Sequence, residues 1–150
     1  MIHYKIYRKV SELPKEWNAL CSKDIFLKTD FLKGLESSLP ANISGYYIGI
    51  FKGEILVGIA VVQRAQMYAD DIFRKSSSSA LIQFAKHLVS KIVKGNALVV
   101  GNLMHTGQHG IYYNENEIPQ NDYLGQLEKA LDDLIVEIRV KFNKKVRIIV

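Results

Sequence analysis

The sequence lacks the features that stabilise small proteins outside the cytoplasm or direct them there, namely disulfide bonds, membrane spans and a signal peptide. Its one cysteine, Cys21, has no partner for a disulfide within the chain, which favours a reducing, cytoplasmic location. The longest apolar runs, such as residues 55–62, are far shorter than the roughly 18 residues that suggest a membrane span. The alternating N-terminus does not have the pattern of a signal peptide. We therefore expect a soluble protein without a membrane span.

The sequence also lacks any concentration of positive charge. The formal net charge is +5, but the lysines are scattered singly and form no basic run. Proteins that bind nucleic acids usually gather such charge on one face or arm. We expect no nucleic-acid partner, although the scattered lysines would favour an anionic ligand.

Motifs that would name a reaction are missing as well. The chain has no glycine-flanked nucleophile elbow, and Cys21 has no obvious histidine partner. Glu36, Asp70 and Asp71 each lie where a solvated carboxylate is equally expected. We assign no catalytic role to these residues.

What the sequence does contain is a regular alternation of strands and helices in one domain, residues 1–150. Apolar periodicity, turn residues and caps predict the order β, α, α, β-hairpin, α, β, α, β. The predicted elements are a strand over 2–10, helices over 11–21 and 31–39, a hairpin over 44–65, a helix over 75–96, a strand over 96–102, a helix over 121–142 and a strand over 145–150. This order predicts an α+β fold in three layers, with a mixed, mainly antiparallel sheet between helices.

The last predicted strand is apolar, whereas domains normally close on polar, mobile residues. We expect this chain to be the N-terminal part of a longer protein, so that part of an active site would lie on a missing C-terminal domain. An unpaired terminal strand would also favour a homodimer.

Three stretches carry a resemblance to a known family. The stretch "FLKTDFLKGLESS", then "YYIGIFKGEILVGIAVVQ", then "VVGNLMHTGQHG" resembles the first domain of two-domain bacterial proteins grouped with the Fem-type peptidoglycan aminoacyltransferases. The order of elements resembles the wider acyl-CoA N-acyltransferase superfamily, the GNAT fold. The resemblance covers nearly the whole chain as a pattern of elements and short phrases.

The resemblance implies transfer of an acyl or aminoacyl group to an amine of a small metabolite or cell-wall precursor, with acyl-CoA such as acetyl-CoA as the cofactor. It also implies a glycine-rich loop before a helix, where backbone amides hold the cofactor pyrophosphate. This sequence has no such run, since "TGQHG" is followed by the extended segment "IYY". The alternative is a degenerate, non-catalytic ligand- or partner-binding module that supports a catalytic second domain.

The segment "GNLMHTGQHG", residues 101–110, is the strongest candidate for a site. Its glycines make a continuous helix improbable, so His105 and His109 would not share a helix face and we expect no metal. The segment follows a predicted interior strand, at whose carboxyl end ligands often bind. We expect a substrate or cofactor cleft lined by Asn102, Thr106, Gly107, Gln108, His109 and Gly110. His109 is the candidate base, because its unperturbed pKa lies near neutrality.

Overall fold

A computed structural model of the protein describes residues 1–67, 95–103, 110–142 and 146–149. Its centre is a six-stranded sheet in the order β1-β2-β3-β4-β6, with β5 also paired to β3. The strands are β1 (Ile2–Tyr7), β2 (Ile43–Lys52), β3 (Ile55–Met67), β4 (Gly95–Val100), β5 (Ile111–Tyr113) and β6 (Val146–Ile149). Among the described strands, only β4 and β6 pair in parallel. The predicted mixed, mainly antiparallel sheet is therefore confirmed.

Helices cover both faces of this sheet. The helices of the described residues are α1 (Trp17–Leu20), α2 (Thr29–Ser38) and α3 (Gln120–Phe142), and short 3-10 turns lie at Val10–Glu12 and Ile25–Leu27. The buried side chains form two clusters, one between the sheet and α3 and one between the sheet and the α1 and α2 region. The predicted three-layer α+β fold is confirmed. The helix predicted over 75–96 lies almost wholly outside the described residues, and its last two positions begin β4.

The β2–β3 hairpin forms as predicted, with Gly53 at its turn in the left-handed region (φ 62°). Its register shifts once, because Ile50 pairs with Gly58 while Phe51 pairs with Leu56, so Val57 forms a bulge. Beyond the bulge, alternate residues of β3 face α3 or the α1 and α2 layer.

The predicted helix over 11–21 is wrong. Residues Val10–Glu12 form a 3-10 turn, Leu13 is extended (φ −67°, ψ 142°), and only Trp17–Leu20 is α-helical. Pro14 explains the break, since the proline ring disfavours helical geometry in the preceding residue. The predicted strand over 2–10 also ends early, at Tyr7, because the chain turns at Val10 into the other core cluster.

The sequence predicts an apolar stripe along α3, and this prediction needs one correction. The residues of the stripe recur at helical spacing: Leu124, Leu127, Leu131, Leu134, Ile138 and Phe142. Leu127, Leu134 and Ile138 are buried as expected, but Leu124 is 42% exposed. Tyr123 takes its place: it is fully buried, stacks on Tyr113 at 4.6 Å between ring centroids, and donates a hydrogen bond from its hydroxyl to the Ile59 carbonyl at 2.8 Å. An aromatic ring with a polar tip can therefore replace leucine in the stripe when that tip has an acceptor.

Because two tyrosines are buried, we expect the free energy of unfolding to fall at alkaline pH. Burial raises the pKa of Tyr123 and of Tyr47, and the Glu36 carboxylate raises the pKa of Tyr47 further. Both phenols stay protonated in the folded protein at a pH where unfolded tyrosine, with a pKa of about 10, ionises. Their contribution to stability is thus complete below pH about 10 and falls as the pH rises above it.

Urea denaturation between neutral pH and pH about 11 measures this effect. The single tryptophan, Trp17, gives the signal, because it is fully buried and packs edge-to-face on Tyr47. Tyr123→Phe is expected to weaken the pH dependence of the midpoint. A wild-type midpoint that stays constant up to the highest pH would contradict the prediction.

Candidate functional site

Strands β4 and β5 are two halves of one strand path along the same edge of β3. Val62 pairs with Val100 at the end of β4, and Ala60 pairs with Ile111 at the start of β5. Between them, Val61 accepts a hydrogen bond from the Gly101 amide and donates one to the Gly110 carbonyl, both at 2.8 Å. Gly101 and Gly110 therefore share a single register position opposite Val61. We call residues 101–110 the glycine-closed loop.

The two glycines touch at the base of this loop. A Cβ atom on Gly110 would lie 2.5 Å from the Gly101 Cα and 2.9 Å from its nitrogen. Gly101 has φ 125°, a conformation that other residues rarely adopt. Glycine is therefore required at both ends: at Gly110 for space and at Gly101 for the backbone conformation.

Gln63 fixes the first residues of the loop, Asn102 and Leu103. Its side chain is 1% exposed, and its carbonyl oxygen accepts a hydrogen bond from the Leu103 amide at 2.8 Å. Its side-chain nitrogen donates to the Asn102 carbonyl oxygen at 3.3 Å. A buried amide that is satisfied by the loop backbone fixes the position of that backbone, because breaking the contact would leave polar groups buried without partners.

The structure places two of the predicted cleft residues. Asn102 is half-buried against Gln63, and Gly110 is buried against Gly101. Thr106, Gly107, Gln108 and His109 lie outside the described residues, so their assignment to the cleft and the role of His109 stay predictions. The loop leaves the carboxyl end of β4, as predicted, but the sheet does not end there. The loop leaves from within the sheet, because the strand path resumes at Ile111 beyond it.

Sequence reasoning missed three buried polar residues on neighbouring strands. These residues are Gln63, Arg64 and Asn96. Arg64 donates to the Asn96 side-chain oxygen at 3.1 Å and to the Ser44 hydroxyl at 3.0 Å. The available signal was the abrupt change from "IAVV" to "QRAQ" within one predicted strand, since polar side chains that continue a buried strand must have partners there.

The junction between β5 and α3 does not suit a cofactor pyrophosphate. The strand path of β4 and β5 leads through α3 to the parallel strand β6, so the start of α3 is where an anion site would be expected. Here the side-chain oxygen of Asn114 accepts a hydrogen bond from the Asn116 amide, and its backbone carbonyl accepts from the amides of Glu117 and Ile118. The same segment carries the side chains of Glu115 and Glu117. Occupied amides and negative charge both disfavour binding of a diphosphate in this turn, which ends before the first residue of α3, Gln120.

Two absences concern the described part of the chain. Within it, no three His, Cys, Asp or Glu side chains are grouped so that they could hold a metal ion, but both loop histidines fall outside this search. No described helix has the length and apolar character to cross a membrane. Cys21 is a free, fully buried thiol.

Comparisons with family models, with curated proteins and with solved structures give no match to this chain.

Proposed function

We propose that this chain is an acyl- or aminoacyltransferase domain of the GNAT type, degenerate at its donor site, that binds an amine-bearing acceptor at the glycine-closed loop. The acceptor is an amine of a small metabolite or a cell-wall precursor. The observation that carries the proposal is the loop itself. It emerges from inside the sheet at one register position, closed by Gly101 and Gly110 and held by the buried Gln63.

This loop has the composition of a binding segment. Residues 101–110 contain amide, hydroxyl and imidazole side chains but no Asp, Glu, Lys or Arg. Such side chains recognise polar ligands through hydrogen bonds, and the glycines allow close approach to the backbone. His109 is the proposed base that would accept a proton from the amine.

A second function is favoured by one observation, the acidic junction before α3. Because Asn114 accepts from the amides of the turn before α3, and Glu115 and Glu117 add negative charge to that turn, the approach to this helix does not favour an acyl-CoA pyrophosphate. The second candidate is therefore a non-catalytic module that binds a ligand or partner and supports a catalytic domain. It would require neither His109 nor an amine on the ligand.

Thermal unfolding with matched ligands tests both candidates. A lysine-containing peptidoglycan stem peptide and glucosamine represent the two acceptor classes, and their N-acetylated forms are controls without the amine. We expect at least one free amine to raise the melting temperature by several degrees at saturating concentration, and its acetylated form to have little effect. If no amine stabilises the protein, the transferase proposal is lost and the module remains.

Acetyl-CoA provides the complementary measurement. We expect no stabilisation by acetyl-CoA, because the acidic turn before α3 disfavours a diphosphate. A clear shift would show an independent donor site and would contradict the degenerate assignment. His109→Ala then tests the base: if acceptor binding and any transfer are unchanged, His109 has no part in the site.

A further inference from the structure

A second candidate site shares no residue with the glycine-closed loop. A cleft of about 380 Å³ opens between the Val10–Glu12 turn and α2. This volume is within the range of about 300–1,000 Å³ that is common for small-molecule sites. The cleft owes its position to Pro14, which prevents residues 11–21 from forming one helix. Its apolar lining comes from Val10, Leu13 and Pro14.

Glu36 supplies a fixed carboxylate in the cleft lining. One of its oxygens, Oε2, accepts hydrogen bonds from the Val10 amide at 2.9 Å and from the Tyr47 hydroxyl at 3.2 Å. Both donors are neutral, so they orient the carboxylate without cancelling its charge. The ion pairs found among the described residues are Arg8 with Glu137 and Lys52 with Glu117, and neither involves Glu36. A half-buried carboxylate in this state attracts an ammonium group.

Positive charge borders the same cleft. Two lysines line the cleft: Lys15 lies on the segment between the Val10–Glu12 turn and α1, and Lys33 lies on α2. Both side chains are exposed, and neither takes part in the two ion pairs of the described residues. A further carboxylate, Asp30, lines the cleft from the first turn of α2 and is exposed. The lining thus offers charges of both signs around an apolar surface.

We propose that this cleft binds a free α-amino acid with an apolar side chain. The ligand's ammonium group pairs with Glu36, its carboxylate pairs with Lys15 or Lys33, and its side chain packs against Val10, Leu13 and Pro14. A zwitterion with an apolar body matches all three components of the lining, whereas an anion, a cation or a hydrocarbon alone matches one. The proposal is independent of the glycine-closed loop.

Calorimetric titration with three probes tests the chemistry. L-Leucine carries both charges, N-acetyl-L-leucine lacks the ammonium group, and L-leucinamide lacks the carboxylate. We expect L-leucine to bind with a Kd on the order of 1 mM or tighter, and each blocked form to bind at least about tenfold more weakly. Equal affinity for all three probes would overturn the proposal, and so would undetectable binding of L-leucine at about ten times that concentration.

Variants test the residues. Glu36→Gln keeps an oxygen for the Val10 and Tyr47 donors but removes the charge, so we expect at least about tenfold weaker L-leucine binding with a similar melting temperature. Lys15→Gln and Lys33→Gln combined are expected to weaken L-leucine binding but not L-leucinamide binding. Lys23→Gln, an exposed lysine outside the cleft, is the matched control. Unchanged L-leucine binding by Glu36→Gln would refute the assignment, and the blocked probes decide the matter on the wild-type protein if that variant does not fold.

Discussion

Deleting residues 102–110, together with Gln63→Leu, is expected to give a folded protein that no longer binds its acceptor. The deletion leaves Gly101 alone opposite Val61, where one residue can make both hydrogen bonds that Gly101 and Gly110 now divide. Val100 and Ile111 already pair with Val62 and Ala60, so the register on either side does not change. The strand path from Gly95 to Tyr113 becomes continuous.

The second substitution removes a problem that the deletion would create. Without Asn102 and Leu103, the buried amide of Gln63 would lose its partners at a cost of about 1–3 kcal/mol. Leucine has a similar size and needs no partner. We expect acceptor affinity to fall by more than about a hundredfold, which corresponds to about 2.7 kcal/mol.

Circular dichroism, Trp17 fluorescence and the thermal-shift measurement check this result. Gln63→Leu in the full-length loop is the control that separates loss of anchoring from loss of the loop. If the deletion variant keeps its acceptor affinity, the glycine-closed loop is not the site. If it does not fold, the loop is part of the core rather than an insertion. The deletion should not change L-leucine binding at the cleft between the Val10–Glu12 turn and α2.

Gly58→Ala is expected to destabilise the protein by about 3 kcal/mol, at the upper end of typical overpacking costs. A Cβ on Gly58 would lie 2.6 Å from Cδ2 and 2.7 Å from Cε2 of Tyr123. The Tyr123 ring cannot easily move away, because it stacks on Tyr113 and its hydroxyl is bonded to the Ile59 carbonyl. Sheet and helix would have to separate.

A double-mutant cycle tests whether Tyr123 is the cause. Tyr123→Ala alone is expected to cost about 3–5 kcal/mol, but adding Gly58→Ala to it should then be nearly neutral or slightly stabilising. Gly125→Ala is the matched control, since nothing lies within 4 Å of its Cβ and alanine favours the helix by about 0.5–1 kcal/mol. Equal costs of Gly58→Ala in both backgrounds, from urea denaturation, would exclude the proposed contact.

The sequence predicts those parts of the fold in which local pattern and tertiary packing agree. Gly53 between two β-branched runs identifies the hairpin, and the spacing of Leu127, Leu134 and Ile138 identifies α3. The predictions fail where one residue type overrides the pattern. Pro14 interrupts the periodicity of residues 11–21, and Tyr123 is buried in place of Leu124 because the Ile59 carbonyl accepts its hydroxyl.

The sequence predicts only part of the candidate site. The glycines and polar residues of 101–110 indicate a loop, but the sequence does not show that its two ends meet. That fact depends on the pairing of Val62 with Val100 and of Ala60 with Ile111, which are separated along the chain. Gln63 was missed for the same reason, since its partners lie on a distant segment. The cleft lined by Glu36 was not predicted either, because its existence depends on how the Val10–Glu12 turn packs on α2.

Because Gly101 and Gly110 share one register position opposite Val61, the strand pairing of the sheet does not depend on how many residues are inserted between them. Lengthening a loop whose ends are already fixed costs little, about 0.6 kcal/mol for each doubling of its length. A different peptide could therefore be grafted between Leu103 and Gly110, with Asn102 and Leu103 kept as the partners of the buried Gln63. Natural variants could exchange binding specificity in the same way, by replacing this segment of the loop while the core stays unchanged.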